Sequence, residues 1–149
     1  MTQRPYANRN KLEKMLEDPK IVSWRLALNS VEELYDQFDK KLNEVGCNMS
    51  RFEMLFFIYF TGPLSAIQLA AKMKVSRGNI SAFLKRLKSD GLIEPCKISS
   101  TATRPKFVLS VKGEEYFTEI FKLHIKQIKA SVHPFTEEFK KELSQWNKT

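Results

Sequence analysis

The sequence predicts a mainly α-helical fold with a small β-wing, and three observations carry that reading. Two short amphipathic stretches joined by a tight turn run from Leu64 to Ile93. Beyond Leu92 the apolar spacing shortens to that of strands on either side of a polar turn. Long apolar stripes at alternating steps of three and four flank this unit on both sides, the signature of helices with one buried face.

The central unit begins at Ser65. Its hydroxyl can accept from a free backbone N–H while the Gln68 amide reaches back, so the pair forms a capping box and a helix starts at Ala66. Ile67, Leu69, Ala70 and Met73 face inward, Lys74 and Val75 make the turn, and Ser76 caps a second helix. On that helix Ile80, Phe83, Leu84 and Leu87 form one buried stripe. Rotation by about 100° per residue puts Gly78, Ala82, Lys85 and Ser89 on the opposite face. Asn79, Ser81 and Arg86 flank that face, and Arg77 stands at the helix start. Small residues along the centre let the backbone approach a groove wall, while the flanking polar groups reach base edges and phosphates.

A surface helix with a solvated basic face would show the same pattern. The distribution of charge separates the two readings. Of 25 Lys and Arg and 17 Asp and Glu, residues 63–112 hold ten of the bases and two of the acids, Asp90 and Glu94. This segment therefore carries the whole net charge of +8, and the rest of the chain is balanced. A phosphate backbone requires such a concentrated positive footprint. After Leu92, the run Ile93, Cys96, Ile98 reads as one strand, Ser99 to Thr103 as the turn, and Phe107 to Leu109 as the returning strand. Lys97, Arg104 and Lys106 lie near the tip of this wing, where an arginine can enter a minor groove or hold a phosphate.

Residues 8–18 suggest a short helix ended by Pro19, an arm over a partner subunit or a loosely ordered extension. Trp24, Leu28, Val31, Tyr35, Phe38, Leu42 and Val45 then mark a long helix stopped by Gly46. Its outer face carries Glu32, Glu33, Asp36 and Asp39, so it should point away from DNA. Ser50 with Glu53 makes a second capping box for a buried helix ending at Thr61-Gly62-Pro63. Behind the wing, Glu114 to Ala130 forms a long helix broken by His133-Pro134, and Thr136 caps a last helix with Phe139, Leu143 and Trp146. Together these helices offer more apolar surface than one such unit covers. A twofold homodimer is the economical solution, and it would place two recognition helices about 34 Å apart.

Several classes of function are excluded on composition. A chain of 149 residues gives one domain with a proper core. The longest apolar run, Met54 to Phe60, falls far short of the roughly 20 residues of a membrane span, which points to a cytoplasmic protein without membrane contact. Cys47 and Cys96 fit no disulfide or zinc spacing and read as reduced thiols. His124 and His133, nine residues apart with no third histidine, make no metal site. With five glycines, two histidines and no nucleophile elbow or phosphate-binding loop, the chain reads as a non-enzyme without cofactor or metal.

From about Ile21 to Trp146 the sequence resembles the MarR-type winged helix-turn-helix transcriptional regulators. The carriers are MSRFEMLFFI, LSAIQLAAKMKVSRGNISAFLKRLKSDGLI, Arg104 in the wing, LSVKG closing it, and HPFTEEFKKEL opening the last helix. The string SRGNIS is also similar to that of GbsR-type regulators. The chain departs from the family pattern at Ala102, where an Asp is usual. It departs again at Ala82, where many members carry an arginine, and the Arg104 to Leu109-Ser110 spacing is one residue short.

The resemblance implies a single domain over 1–149. In it, N-terminal dimerisation and arm helices (8–46) precede a winged helix-turn-helix (50–112) and C-terminal dimerisation helices (113–149). It also implies a homodimeric repressor on a pseudo-palindromic double-stranded DNA operator. Base contacts are expected from Arg77, Asn79 and Gly78, and phosphate contacts from Ser65, Ser81, Lys85, Lys88, Arg104 and Lys106, with Ser76 at the helix cap. Family members hold small aromatic or apolar effectors between the corresponding helices, which here points to Trp24, Tyr35, Phe56 and Phe60; the plainer reading of these rings is core. Redox-responsive members place their thiol early in the first helix, whereas Cys47 follows its end. A different class of function, a protein-interaction module whose basic face meets an acidic partner, would need exposed aliphatic or aromatic anchors on the second helix of the unit. Its exposed face is instead Gly, Ala, Ser, Asn, Lys and Arg.

Overall fold

A computed structural model describes residues 6–73, 77–97 and 104–148, with backbone alone for Arg77 and Gly78. The expected turn at Lys74 and Val75, the Ser76 cap and the wing tip over 98–103 lie outside the described residues.

The core is built on α3 (Met49–Thr61), whose Phe52, Met54, Leu55 and Ile58 are all buried. It contacts α2 (Pro19–Asn43), α6 (Val111–Ser131), α4 (Ala66–Met73) and the sheet, so the long helices and the basic unit share one apolar centre. Its start differs from expectation. The cap is Asn48, whose side-chain oxygen accepts from Arg51 N at 2.7 Å, rather than Ser50 with Glu53. Asn caps as well as Ser does. The Met49 N–H is meanwhile taken by Asp39 Oδ1 at 2.8 Å, which ties the helix start to the end of α2. Asp39 is therefore half-buried and structural, not one more acid on an outer face. Asn48→Ala should cost about 1 kcal/mol of stability, read as a lower urea midpoint at unchanged slope.

Three short strands form an antiparallel sheet in the order β1 (Leu64–Ser65), β3 (Lys106–Leu109), β2 (Ile93–Pro95). Leu64 faces Phe107 across one ladder and Ile93 faces Leu109 across the other. The wing's first strand stops at Pro95, earlier than the expected run to Ile98, although Cys96 N still donates to Lys106 O at 2.8 Å. β1 has no counterpart in the sequence reading, because two residues are too few to show a period.

Ser65 does start α4 as a capping box: its Oγ accepts from Gln68 N at 3.3 Å and its N–H donates to Gln68 Oε1 at 2.9 Å. α5 (Arg77–Ser89) ends in a glycine-centred turn in which Leu92 N reaches Leu87 O at 3.0 Å and Gly91, at φ +73°, reaches Lys88 O at 3.0 Å. α6 begins at Val111, three residues before expectation, because Ser110 is its cap and accepts from Gly113 N at 2.9 Å.

α1 (Arg9–Met15) ends at its C-cap Leu16, before the expected stop at Pro19, which instead opens α2, where a proline's missing N–H costs nothing. The stripe along α2 is divided: Leu42 is buried and Phe38 half-buried, while Trp24, Leu28, Val31, Tyr35 and Val45 are exposed. Neither α1 nor α7 (Glu137–Trp146) contains a buried residue, and Phe135, Phe139 and Trp146 stand open to solvent. Among the described residues no helix is long and apolar enough to cross a membrane.

Candidate nucleic-acid interface

The second helix of the central unit divides as its periodicity requires. Ile80, Leu84 and Leu87 are buried and Phe83 half-buried. Asn79, Ser81, Ala82, Lys85, Arg86, Lys88 and Ser89 are all exposed. Ala82 and Ser89 leave the middle of that face low, so a groove could meet the helix backbone closely with Asn79 and Lys85 on its margins. Arg86 leans over the Phe83 ring, 5.9 Å from its centroid.

The other expected contact residues fall into three groups. Lys85, Lys88 and Arg104 are exposed, and Lys106 is half-buried on β3 opposite Ser65. Ser65 is itself buried with its oxygen engaged in the cap, so its place in the fold is to start α4. Arg77 and Gly78 lie within the first turn of α5, and Ser76 is outside the described residues.

A set of polar contacts that the sequence did not reveal frames the C-terminal end of α5. Arg51 Nη2 donates to Asp90 Oδ2, Lys112 Nζ donates to the Asp90 carbonyl at 2.9 Å, and Ser110 Oγ donates to the Gly91 carbonyl. On its other side, Arg51 meets the hydroxyl of Tyr116, which donates to Gly46 O at 2.9 Å. Burial, with Cys47 alongside, pushes the Tyr116 hydroxyl up to about 12 against the opposing pull of Arg51. No spacing rule could have found these partners, since Arg51 and Asp90 are 39 residues apart.

The four residues expected to line an effector pocket are not gathered into one described cavity. Phe56 and Phe60 lie 4.8 Å apart, and Phe60 also meets Phe117 and Phe121. Tyr35 faces Ser50 and Glu53 at the start of α3, and burial with the Glu53 charge raises its hydroxyl pKa. Trp24 is exposed on α2. A cavity of about 430 Å³ does lie between α2 and α6, lined by Phe38, Lys40, Lys41, Gln127 and Ala130 among others.

His124 sits in the core with its ring against Phe52 at 4.6 Å and Phe38 at 5.3 Å, and its Nδ1 has no partner among the described residues. Burial lowers its pKa, so the folded protein holds it neutral. The unfolded chain then binds the extra proton, and stability is lost as pH falls below the ordinary histidine range near about 6.5. His124→Phe should remove that part of the acid sensitivity in urea titrations at pH 7 and pH 5. Cys47 is buried and donates to Asn48 O at 3.4 Å, and burial pushes its thiol pKa up, away from the thiolate that redox chemistry needs. Among the described residues no group of three His, Cys, Asp or Glu could hold a metal ion.

The fold and the exposed basic helix define a winged helix-turn-helix. Residues 47–95 match the model of the MarR family. Among solved structures the chain is similar to AbsC, a MarR family transcriptional regulator from Streptomyces coelicolor, at TM-score 0.75 and 21% identity over 87% of this chain and 90% of that one. It is also similar to MepR of Staphylococcus aureus in a DNA complex, at TM-score 0.68 and 18% identity over 83% and 88%. A Mycobacterium tuberculosis MarR family protein in complex with p-aminosalicylic acid follows at 0.63 and 16% over 82% and 92%. At these identities the likeness is one of fold. No curated protein matches the sequence.

Proposed function

We propose that the protein is a homodimeric, sequence-specific DNA-binding transcriptional regulator of the MarR type, a cytoplasmic repressor released by a small molecule. The observation that carries the reading is the coincidence on α5 of a buried apolar stripe, an opposite face of small and polar residues, and a place in the segment 63–112, whose net charge of +8 equals that of the whole chain. Arg77, Gly78 and Asn79 read bases; Ser76 stands at the helix cap beside them. Ser65, Ser81, Lys85, Lys88, Arg104 and Lys106 form the phosphate set, with Ser65 the least accessible member. The DNA complex of MepR supports this use of the fold.

The exposed apolar residues of α1, α2 and α7 support a twofold partner, because a monomer would leave Trp24, Leu28, Val31, Phe139 and Trp146 in water. The relative bound to p-aminosalicylic acid supports a small aromatic effector, with Trp24, Tyr35, Phe56 and Phe60 as its proposed lining. The chain does no catalysis and uses no cofactor or metal in this reading.

Footprinting on the DNA upstream of its own gene tests the proposal. Two protected half-sites about 34 Å apart support a dimer with both recognition helices on one face. Protection of a single half-site, with a monomer in sedimentation, would contradict it. Lys85→Ala should weaken operator and random DNA alike and flatten the salt slope by about one unit.

A further inference from the structure

The C-terminal end of the recognition helix is held by polar groups from other elements. α5 packs on α4 and β2 and sends Ile80, Leu84 and Leu87 into the shared core, and polar groups at its end add a second tie to the long helices. Between α3 and α5 lies a cavity of about 40 Å³ lined by Asn48, Arg51, Met54, Phe83, Arg86 and Leu87. That is room for water and not for a side chain, and its lining is half polar. Arg51, one of its lining residues, is clasped to Asp90. Arg51 is also the meeting point of four elements: it belongs to the first turn of α3, bonds the loop after α5, and meets Tyr116 of α6, whose hydroxyl bonds the Gly46 carbonyl after α2.

We propose that Arg51 is a positioning residue for DNA reading, which sets the angle of the recognition helix against the long helices through Asp90 on one side and Tyr116 with Gly46 on the other. This rests on the DNA-binding reading above. An ion pair with side chains a quarter and a half exposed adds little to stability. It fixes geometry instead: a guanidinium donates along set directions, so Arg51 Nη2 on the Asp90 carboxylate holds the end of α5 at one angle to the first turn of α3. The backbone on the far side of Asp90 is held in the same way, by Lys112 on its carbonyl and Ser110 on that of Gly91. None of these groups lies on the exposed face of α5, so the clasp acts on where that face points and leaves its contacts to Asn79 and Lys85.

The test compares Arg51→Asp, Asp90→Arg and the double reversal with the unaltered chain, by two readouts. Residual dipolar couplings of the ¹⁵N-labelled protein give the angle of α5 against α2, α3 and α6 without DNA. Affinity for the upstream duplex over a shuffled duplex gives discrimination. Each single reversal should make the α5 couplings depart from the alignment shared by the long helices and reduce discrimination by about tenfold, through operator affinity and not through the salt slope. The double reversal, which restores an ion pair of opposite sense but not the guanidinium beside Tyr116, should recover both in large part. Unchanged α5 couplings in the single variants overturn the proposal whatever happens to DNA. Altered couplings with discrimination intact overturn it equally, since the angle would then not matter to reading. Should the unaltered chain itself fail to discriminate while the couplings respond as stated, the clasp stands as a positioning device and the DNA reading falls. Arg51→Lys, which keeps the charge but loses the directed fork, should lie between the unaltered chain and the reversals in both readouts; if it equals Arg51→Asp while thermal stability drops with it, the role is structural and the proposal fails.

Discussion

Gly113→Ala should be the most damaging of the glycine-to-alanine changes, with a loss on the order of 3 kcal/mol or more. The first turn of α6 crosses the chain at Leu92 so closely that a Cβ on Gly113 would collide with the Leu92 carbonyl. Neither side can yield. The Leu92 carbonyl accepts from Ser110 N at 3.0 Å, Gly113 N donates to Ser110 Oγ at 2.9 Å, and Leu92 N is bound in the turn that ends α5. Shifting α6 outward would break the cap of one helix and loosen the stop of the other. Gly91→Ala is the control. Gly91 has φ +73°, yet its Cβ would meet nothing closer than the flexible end of Lys112 at 3.8 Å, so the penalty there is the backbone's alone, about 1 kcal/mol. Urea unfolding of the two variants measures the difference. Equal losses would mean that α6 does not cross Leu92 at the distance described.

Asn79→Ala should relax base discrimination at one operator position by about 1 to 3 kcal/mol and leave the salt dependence unchanged. Asn79 is exposed in the first turn of α5, beside the low centre formed by Gly78 and Ala82, where a carboxamide can donate to and accept from one adenine edge. It carries no charge and is exposed, so phosphate attraction should not move with it. Binding to a panel of duplexes changed one base pair at a time measures this. Equal loss of affinity for operator and random DNA would remove Asn79 from the reading set.

The helices of the central unit were legible because their cues are local and repeated. Ile80, Leu84 and Leu87 recur at helical spacing, Ser65 and Gln68 cap at the right interval, and all behave in the structure as that spacing requires. The exposed face of α5 follows from the same arithmetic. Asn48 against Ser50 was not decidable locally, since both are good caps; a distant carboxylate, Asp39, shares the start of that helix. The stripe of α2 announced a long helix but not what covers it, and most of its exposed positions lie outside the chain's own core. The clasp of Arg51, Asp90 and Tyr116 was invisible for a different reason. Its members carry no periodic signal, and each looks in sequence like an ordinary surface residue.

The central claim is that the charge gathered on residues 63–112 and the polar face of α5 read double-stranded DNA. Its most direct test is binding of the purified protein to a duplex from its own upstream region and to a shuffled duplex of equal length, across a salt series. The account predicts tighter binding to the native duplex at every salt concentration, with affinity falling steeply as salt rises, by roughly 0.9 in log–log slope for each phosphate neutralised. Equal, weak and purely salt-driven binding to the native duplex and to its shuffled counterpart would contradict it, and an acidic protein partner for the basic face would then become the leading account.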